Sequence, residues 1–109
     1  MDVYGALADP TRRSIVEMLT NGEMEAGSIA DRFEVSRPAI SRHLRVLRES
    51  ALVRSRKDGT RRMYRLDGNA LSEVSDWAER QRLFWTDRLD ALERHLETEQ
   101  LETEQFETD

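Results

Sequence analysis

The fold is decided by residues 36–50, which read SRPAISRHLRVLRES. Ser36 is a typical helix N-cap, and Pro38 falls in the first helical turn, where its missing N–H costs little. The stretch therefore predicts a helix that runs from Ser36 to about Ser50. At 100° per residue, one narrow arc collects the apolar residues expected in the core, namely Ile40, Leu44, Leu47 and Ala51. The opposite side is polar and cationic.

Three shorter helices are predicted before this one. The first covers about Val3 to Leu7 or Ala8, and the second runs from Pro10 to about Thr20, because Asp9-Pro10 is a strong helix start. The third covers about Ala26 to Phe33. Six residues of the second and third helices are expected to be buried: Ile15, Met18, Leu19, Ile29, Ala30 and Phe33. The tight turn at Val35-Ser36 makes the third and fourth helices a helix-turn-helix.

A β-hairpin is predicted directly after residue 51. Leu52 to Lys57 and Thr60 to Leu66 flank Asp58-Gly59, a dipeptide typical of two-residue hairpin turns. In that register Val53 pairs with Tyr64, Ser55 pairs with Arg62, and Arg56 lies opposite Arg61. Two cations directly opposite each other repel, so this pair favours a polyanion beside the hairpin.

The last predicted helix runs from about Asn69 to Leu96. A helix of that length measures about 40 Å, whereas a domain of this size has a radius of gyration of about 13 Å. One small core is too short to cover its whole apolar stripe, so a second copy of the chain is expected to cover part of it. Residues 97–109 carry six acids and no base, which predicts a disordered or fraying acidic tail.

Composition limits the function before any motif does. A chain of 109 residues with 38% apolar residues suits one domain, here residues 1–96. No membrane-length apolar run and no leader is visible, so we expect a soluble, cytoplasmic protein with no membrane partner. Cysteine is absent, which excludes disulfides, thiolate metal sites and thiol redox switches. No cofactor is expected.

The charge distribution indicates a nucleic-acid partner. The net charge is −5, but residues 36–66 carry ten basic and only two acidic residues. A one-sided basic segment on an otherwise near-neutral body is typical of a face that binds phosphates, although a solvated charged surface is the alternative. We therefore expect double-stranded DNA as the partner, with the helix in the major groove and the hairpin on the backbone or minor groove. The expected DNA-binding residues are Ser36, Arg37, Pro38, Ser41, Arg42, Arg45, Arg56, Lys57, Arg61 and Arg62.

Three separated stretches resemble the ArsR-type winged-helix repressors. They are residues 6–16 (ALADPTRRSIV), 36–47 (SRPAISRHLRVL) and 59–66 (GTRRMYRL). The resemblance covers about residues 2–96. It implies a prokaryotic homodimeric repressor that binds an inverted repeat and pairs through its first and last helices. The expected interface residues are Val3, Tyr4, Leu7, Trp77, Phe84, Trp85, Leu89 and Leu92.

The fold class is accordingly mainly α with a small β-hairpin. It is a winged helix-turn-helix with long N- and C-terminal dimerisation helices, although local signals keep the first helix to about Ala8. Many relatives in the family release DNA when a metal or metalloid binds. This sequence lacks a cysteine pair in the helix before the turn and the Asp/His ligand sets of the zinc sensors. It is more similar to the branch without metal sensing, and an unknown small-molecule effector remains an option.

Other functions have weaker support. His43 and His95 lie in different elements, so packing or a phosphate contact for His43 is favoured over metal ligation. In a dimer, His95 could approach Glu93 or Glu97 of the other copy and form an adventitious metal site. Ser41 and His43 are about 200° apart on one helix, so they cannot form a nucleophile–base pair, and no enzyme is expected.

Two further features leave alternatives open. Trp77, Phe84 and Trp85 could line a small-molecule pocket, although aromatics at helical spacing are more often core. The acidic tail could compete with DNA for the basic face, although such tails more often confer only solubility. A protein-interaction module is the second hypothesis for the whole chain. It is disfavoured because the outward face of the fourth helix offers no apolar anchors apart from Pro38 and Val46.

Overall fold

The computed structural model describes residues 1–108, with side chains for residues 1–102. The chain divides into two compact units: the first is Met1–Val74, and the second begins at Ser75. The elements in chain order are α1 (Val3–Leu7), α2 (Pro10–Leu19), β1 (Met24–Glu25), α3 (Ala26–Ala30), α4 (Arg37–Glu49), β2 (Val53–Asp58), β3 (Arg61–Leu66) and α5 (Gly68–Thr108). The prediction of a mainly α winged helix-turn-helix with a long C-terminal helix is confirmed.

The N-terminal helix is short. α1 has five residues, and the expectation of a long N-terminal helix is wrong. The reason is local: the Asp9 side chain accepts hydrogen bonds from the backbone N–H groups of Thr11 and Arg12, at 2.8 and 3.1 Å, and Pro10 opens α2. A strong helix start at this position ends the preceding helix before Asp9.

We expect Asp9→Ala to destabilise the first unit by about 0.5–2 kcal/mol, because α2 loses its cap. The pKa of Asp9 lies below its ordinary value of 3.8, chiefly because the carboxylate accepts the Arg12 backbone N–H. A lowered folded-state pKa gives stability that is present above the ordinary pKa and is lost as the pH falls through the folded-state value. Urea unfolding at pH 7 and at acidic pH measures both effects.

Asp9→Asn is the matched control, because Asn caps helices equally well but does not titrate. Its stability should therefore not show the acid loss that comes from Asp9. If wild type and Asp9→Asn lose stability in parallel between pH 5 and pH 2, Asp9 contributes nothing to the acid sensitivity.

α3 is shorter than predicted and is preceded by a strand that the sequence did not reveal. It ends at Ala30, and Phe33 lies outside it and is half-buried. β1 has only two residues and joins a three-stranded antiparallel sheet in the order β1-β3-β2, with Met24 opposite Tyr64. A two-residue strand is too short to show the alternation by which strands are recognised.

α4 agrees closely with the prediction except at its C-terminal end. Ile40, Leu44 and Leu47 are buried as expected, but Ala51 is exposed. Helical periodicity stops before Ala51, whose φ of 64° is left-handed. The N–H of Leu52 bonds the carbonyl of Leu47 at 3.0 Å, and the N–H of Ala51 bonds that of Arg48 at 3.1 Å. This pair of bonds is a Schellman motif, which turns the chain directly into β2.

The hairpin forms, but its register differs from the prediction by two residues. Asp58 pairs with Arg61, so the two-residue loop is Gly59-Thr60 and not Asp58-Gly59. Gly59 has a φ of 64°, as the first loop position of a type II′ turn requires. The three predicted pairs are therefore wrong. Val53 faces Leu66, Ser55 faces Tyr64, and Arg56 faces Met63.

The core of the first unit draws on every helix of that unit and on β2 and β3. A two-residue slip leaves each side chain on its original face, so Val53 and Tyr64 are buried despite the altered register. Ile15, Leu19, Ile29 and Ala30 are buried as predicted, and Met18 packs against them half-buried. The buried residues are Val3, Ala6, Ile15, Val16, Leu19, Ile29, Ala30, Ile40, Leu44, Leu47, Leu52, Val53, Tyr64 and Ala70.

α5 begins in the first unit and forms the described part of the second. It continues without a break past Leu96 to Thr108, across the segment in which we expected a disordered or fraying tail. The domain boundary at residues 96–97 stays a prediction, and Asp109 lies outside the described residues. No helix in the described part of the chain is both long and apolar enough to cross a membrane.

Candidate nucleic-acid interface

The outward face of α4 collects the helix residues that the sequence singled out. Burial of Ile40, Leu44 and Leu47 fixes the helix against the core, which turns the opposite face to solvent. The Ser36 hydroxyl accepts the backbone N–H of Ala39 at 3.3 Å and caps the helix. All six predicted residues are exposed: Ser36, Arg37, Pro38, Ser41, Arg42 and Arg45.

The arginines on this face differ in their electrostatic environment. Arg37 forms an ion pair with Asp31 at 3.0 Å, with both side chains about 70% exposed, at 73% and 68%. An exposed pair of this kind is weak and can exchange for another anion. Arg42 and Arg45 have no carboxylate within ion-pair distance among the described side chains. The centre of the face is therefore cationic.

The β2–β3 hairpin, which we call the wing, has two chemically different faces. Alternation along the strands places Val53, Ser55 and Lys57 on the face that packs on the core, together with Arg62 and Tyr64. Lys57 lies opposite Arg62, near the tip and beyond the buried part of the sheet. The opposed cations that we expected at Arg56 and Arg61 therefore occur at Lys57 and Arg62.

On the other face of the wing, Arg56 and Arg61 are each paired with an acid. Arg56 donates to both carboxylate oxygens of Glu23, at 2.9 Å (Nε–Oε2) and 2.6 Å (Nη2–Oε1). This bidentate bond lowers the pKa of Glu23 and raises the pKa of Arg56. Arg61 pairs with Asp58 at 3.1 Å. The predicted repulsion between Arg56 and Arg61 is absent, because Arg56 lies opposite Met63 and each of the two guanidinium groups is paired with a carboxylate.

A basic cleft at the base of the wing was not found from the sequence. Arg54 donates to Asp67 at 2.7 Å, and this hydrogen bond, with that from the Asn69 N–H, lowers the pKa of Asp67. Arg65 lies directly opposite Arg54. With Arg48 from the end of α4, they line an open cleft of about 460 Å³. The three arginines are among the ten basic residues counted in residues 36–66, so the sequence did contain a signal. The sequence pattern alone, however, did not predict that these three side chains lie together.

The predicted interface residues fall into both units and differ in exposure. In the first unit, Val3 is 4% exposed and belongs to the core, which leaves little of it for another copy to contact. Tyr4 is 38% exposed and Leu7 is half-buried. In the second unit the predicted side chains are all about half exposed or more, namely Trp77, Phe84, Trp85, Leu89 and Leu92.

The second unit presents this apolar surface along one helix. Phe84 and Trp85 pack edge to face, with ring centroids 6.1 Å apart, and the Arg88 guanidinium lies 4.4 Å from the Phe84 centroid. Leu89, Leu92 and Leu96 line an open cleft of about 300 Å³. Exposed apolar side chains repeated along a helix are typical of a surface that another protein covers.

The described side chains include no group of three or more His, Cys, Asp or Glu residues placed to hold a metal ion. His95 lies 3.1 Å from Glu99 within α5. The adventitious site with Glu93 or Glu97 of a second copy stays a prediction.

A family model described as a helix-turn-helix domain matches residues 7–56. The HTH-type transcriptional regulator Rv2034 of Mycobacterium tuberculosis is 43% identical over 96 residues, which cover 88% of this chain and 87% of the relative. The transcriptional repressor SdpR of Bacillus subtilis is 37% identical over 76 residues, or 70% and 84% of the two chains.

Solved structures show the same similarity. An ArsR-like transcriptional regulator from Rhodococcus sp. RHA1 is 38% identical with a TM-score of 0.69, covering 84% of this chain and 87% of its own. The solution structure of the homodimeric winged helix-turn-helix DNA-binding domain of Mb0332 from Mycobacterium bovis is 30% identical, with a TM-score of 0.60 and 71% coverage of each chain.

The fold and the basic surface define a winged helix-turn-helix DNA-binding protein. The chain belongs to the ArsR family of helix-turn-helix transcriptional regulators. Membership in this family of regulators confirms the expectation that the protein is not an enzyme.

Proposed function

We propose that this regulator is a homodimeric repressor that reads an inverted repeat with α4, the recognition helix, and grips the flanking backbone with the wing. The observation that carries the proposal is the exposed face of α4, where Arg42 and Arg45 have no carboxylate partner among the described side chains. Arginine can bind guanine O6 and N7 bidentately in the major groove. Small neighbours such as Pro38 and Ser41 allow close approach to base edges.

Pairing of two copies gives the repeat its symmetry. Two recognition helices related by a two-fold axis enter successive major grooves about 34 Å apart, so the operator is a pseudo-palindrome. The homodimeric state of the Mb0332 domain supports pairing, and the exposed apolar stripe of α5 offers a surface for it. The repressor SdpR supports repression as the outcome.

Fluorescence anisotropy with a labelled duplex from upstream of the protein's own gene, against a scrambled duplex, tests the proposal. We expect tighter binding to the upstream duplex and a steep loss of affinity with salt, because neutralised phosphates release counterions. A promoter–reporter measurement then tests the direction, with lower transcription expected when the protein is present. Equal affinity for both duplexes argues against this operator, and raised transcription argues against repression.

The wing supplies a third prediction. Lys57→Ala and Arg61→Ala should each weaken binding to all sequences alike, because their expected partners are phosphates and not bases. Each lost phosphate contact makes the negative slope of log K against log salt shallower by about one, hence by about two in a symmetric dimer. Titrations on the upstream and scrambled duplexes at four salt concentrations measure the slope. A loss confined to the upstream duplex would show that the wing reads bases.

A cytoplasmic location stays a prediction. A small-molecule effector near Trp77, Phe84 and Trp85 and a regulatory role for the acidic tail stay the less favoured alternatives.

A further inference from the structure

Arg12 connects α1 to the recognition helix. Its Nε donates to the carbonyl of Ala6 at 2.6 Å, and its Nη2 donates to the carbonyl of Gly5 at 3.2 Å. Its Nη1 lies 3.3 Å from Nδ1 of His43, on the flank of α4. One guanidinium on α2 thus caps the C-terminal carbonyls of α1 and touches a side chain of α4.

This contact fixes the state of the His43 ring. A guanidinium is always protonated and only donates hydrogen bonds, so Nδ1 of His43 must accept. A neutral imidazole that accepts at Nδ1 carries its proton on Nε2. Protonating Nδ1 would set two donors against each other at 3.3 Å. While the contact lasts, Nε2 is therefore the ring nitrogen of His43 that carries a proton.

The Nε2 atom faces water. No described residue bonds it, and among the described side chains no buried nitrogen or oxygen atom lacks a partner. His43 is half-buried and adjoins Arg42 in sequence, so Nε2–H is a fixed donor on the flank of the recognition helix. Asp9 and His43 interact electrostatically, and the Asp9 carboxylate is already engaged by the backbone N–H groups of Thr11 and Arg12.

We infer that the His43 Nε2–H donates a hydrogen bond to a phosphate oxygen of DNA, and that Arg12 positions His43 by fixing its tautomer. A recognition helix in the major groove lies between two phosphate backbones, so a donor on its flank meets phosphate and not base edges. The inference rests on the proposed DNA-binding mode of α4 and adds a neutral contact to the charged ones.

Two substitutions of His43 test the roles of its two ring nitrogens separately. In His43→Asn the amide oxygen can reach about as far as Nδ1 and keep the Arg12 hydrogen bond, but nothing reaches the Nε2 position. In His43→Gln the amide nitrogen reaches about as far as Nε2 and can still donate to a phosphate. Both retain a polar side chain, and thermal unfolding of each variant checks that the fold is intact.

We expect His43→Asn to raise the Kd for a labelled duplex by about 5- to 30-fold, and His43→Gln to stay within about threefold of wild type. Because a hydrogen bond from Nε2–H is not an ion pair, it displaces no counterion, so the salt slope should stay unchanged, unlike that of Lys57→Ala. Phosphate-ethylation interference should lose one sensitive phosphate per half-site in His43→Asn. A purely structural role for His43 would not produce that footprint change.

Several results overturn the inference: equal Kd values for wild type and His43→Asn, an equal loss in both variants, or an unchanged footprint. The scrambled duplex separates this test from the proposed function. A phosphate contact contributes to binding of any sequence, so the His43 comparison holds even if the upstream duplex shows no preference.

Discussion

Arg42→Ala should raise the Kd for the operator by about 5- to 150-fold for each half-site, corresponding to about 1–3 kcal/mol per arginine–guanine contact. The reason is the position of Arg42 at the centre of the exposed face of α4, with no carboxylate within ion-pair distance among the described side chains. A bidentate arginine–guanine contact discriminates against the other bases by about the same free energy. The variant should therefore also lose preference at one base pair of each half-site, which competition with single-base operator variants measures.

Arg94→Ala is the matched control, because it removes the same charge from an exposed position of α5. It should leave operator affinity and base preference near wild type. If Arg42→Ala and Arg61→Ala both lose affinity uniformly for all sequences, the division of roles between recognition helix and wing is wrong. Arg42 would then contact the DNA backbone and not a base.

The double substitution Leu89→Lys, Leu92→Lys should convert the proposed dimer to monomer. These leucines are 59% and 53% exposed and line the apolar cleft of α5. Removing two leucines from each copy costs several kcal/mol of apolar burial, and a lysine opposite its symmetry mate adds repulsion. We expect the dimer dissociation constant to rise by at least about 1,000-fold. Sedimentation velocity across a concentration series measures it.

Operator binding should fall in parallel, because a monomer engages only one half-site. Asp90→Lys is the control, since it adds a lysine beside Leu89 at a position outside the apolar stripe. Dimeric behaviour of the double variant would show that α5 residues 89–92 do not form the interface. A monomeric variant that binds the operator with wild-type affinity would contradict the proposal that a two-fold symmetric dimer binds the inverted repeat.

The sequence correctly predicted those helices and caps that depend only on residues close together in the chain. The arc of Ile40, Leu44 and Leu47 follows from helical period alone, and the Ser36 cap from side-chain chemistry. Ala51 was placed wrongly because helical period was extended past the end of the helix. There, the N–H groups of Leu52 and Ala51 donate to the carbonyls of Leu47 and Arg48, which ends the helix and turns the chain.

Features that depend on distant partners were not predictable in the same way. Asp58-Gly59 and Gly59-Thr60 can both form a two-residue loop, and both registers bury Val53 and Tyr64, so burial could not choose between them. The Glu23–Arg56 pair joins residues 33 positions apart. No spacing rule identifies such a partner, and the partner decides whether an arginine is available to DNA.

The sheet order leaves β2 as an edge strand. A bare edge offers unpaired backbone groups to any other strand and promotes association. Four of the six residues of β2 are charged: Arg54, Arg56, Lys57 and Asp58. Adding a strand from another copy would bring its like charges against them and strip water from the side chains. The charges of the wing therefore also guard against edge-to-edge aggregation, so that replacing them with alanines would cost the protein colloidal stability at high concentration as well as affinity.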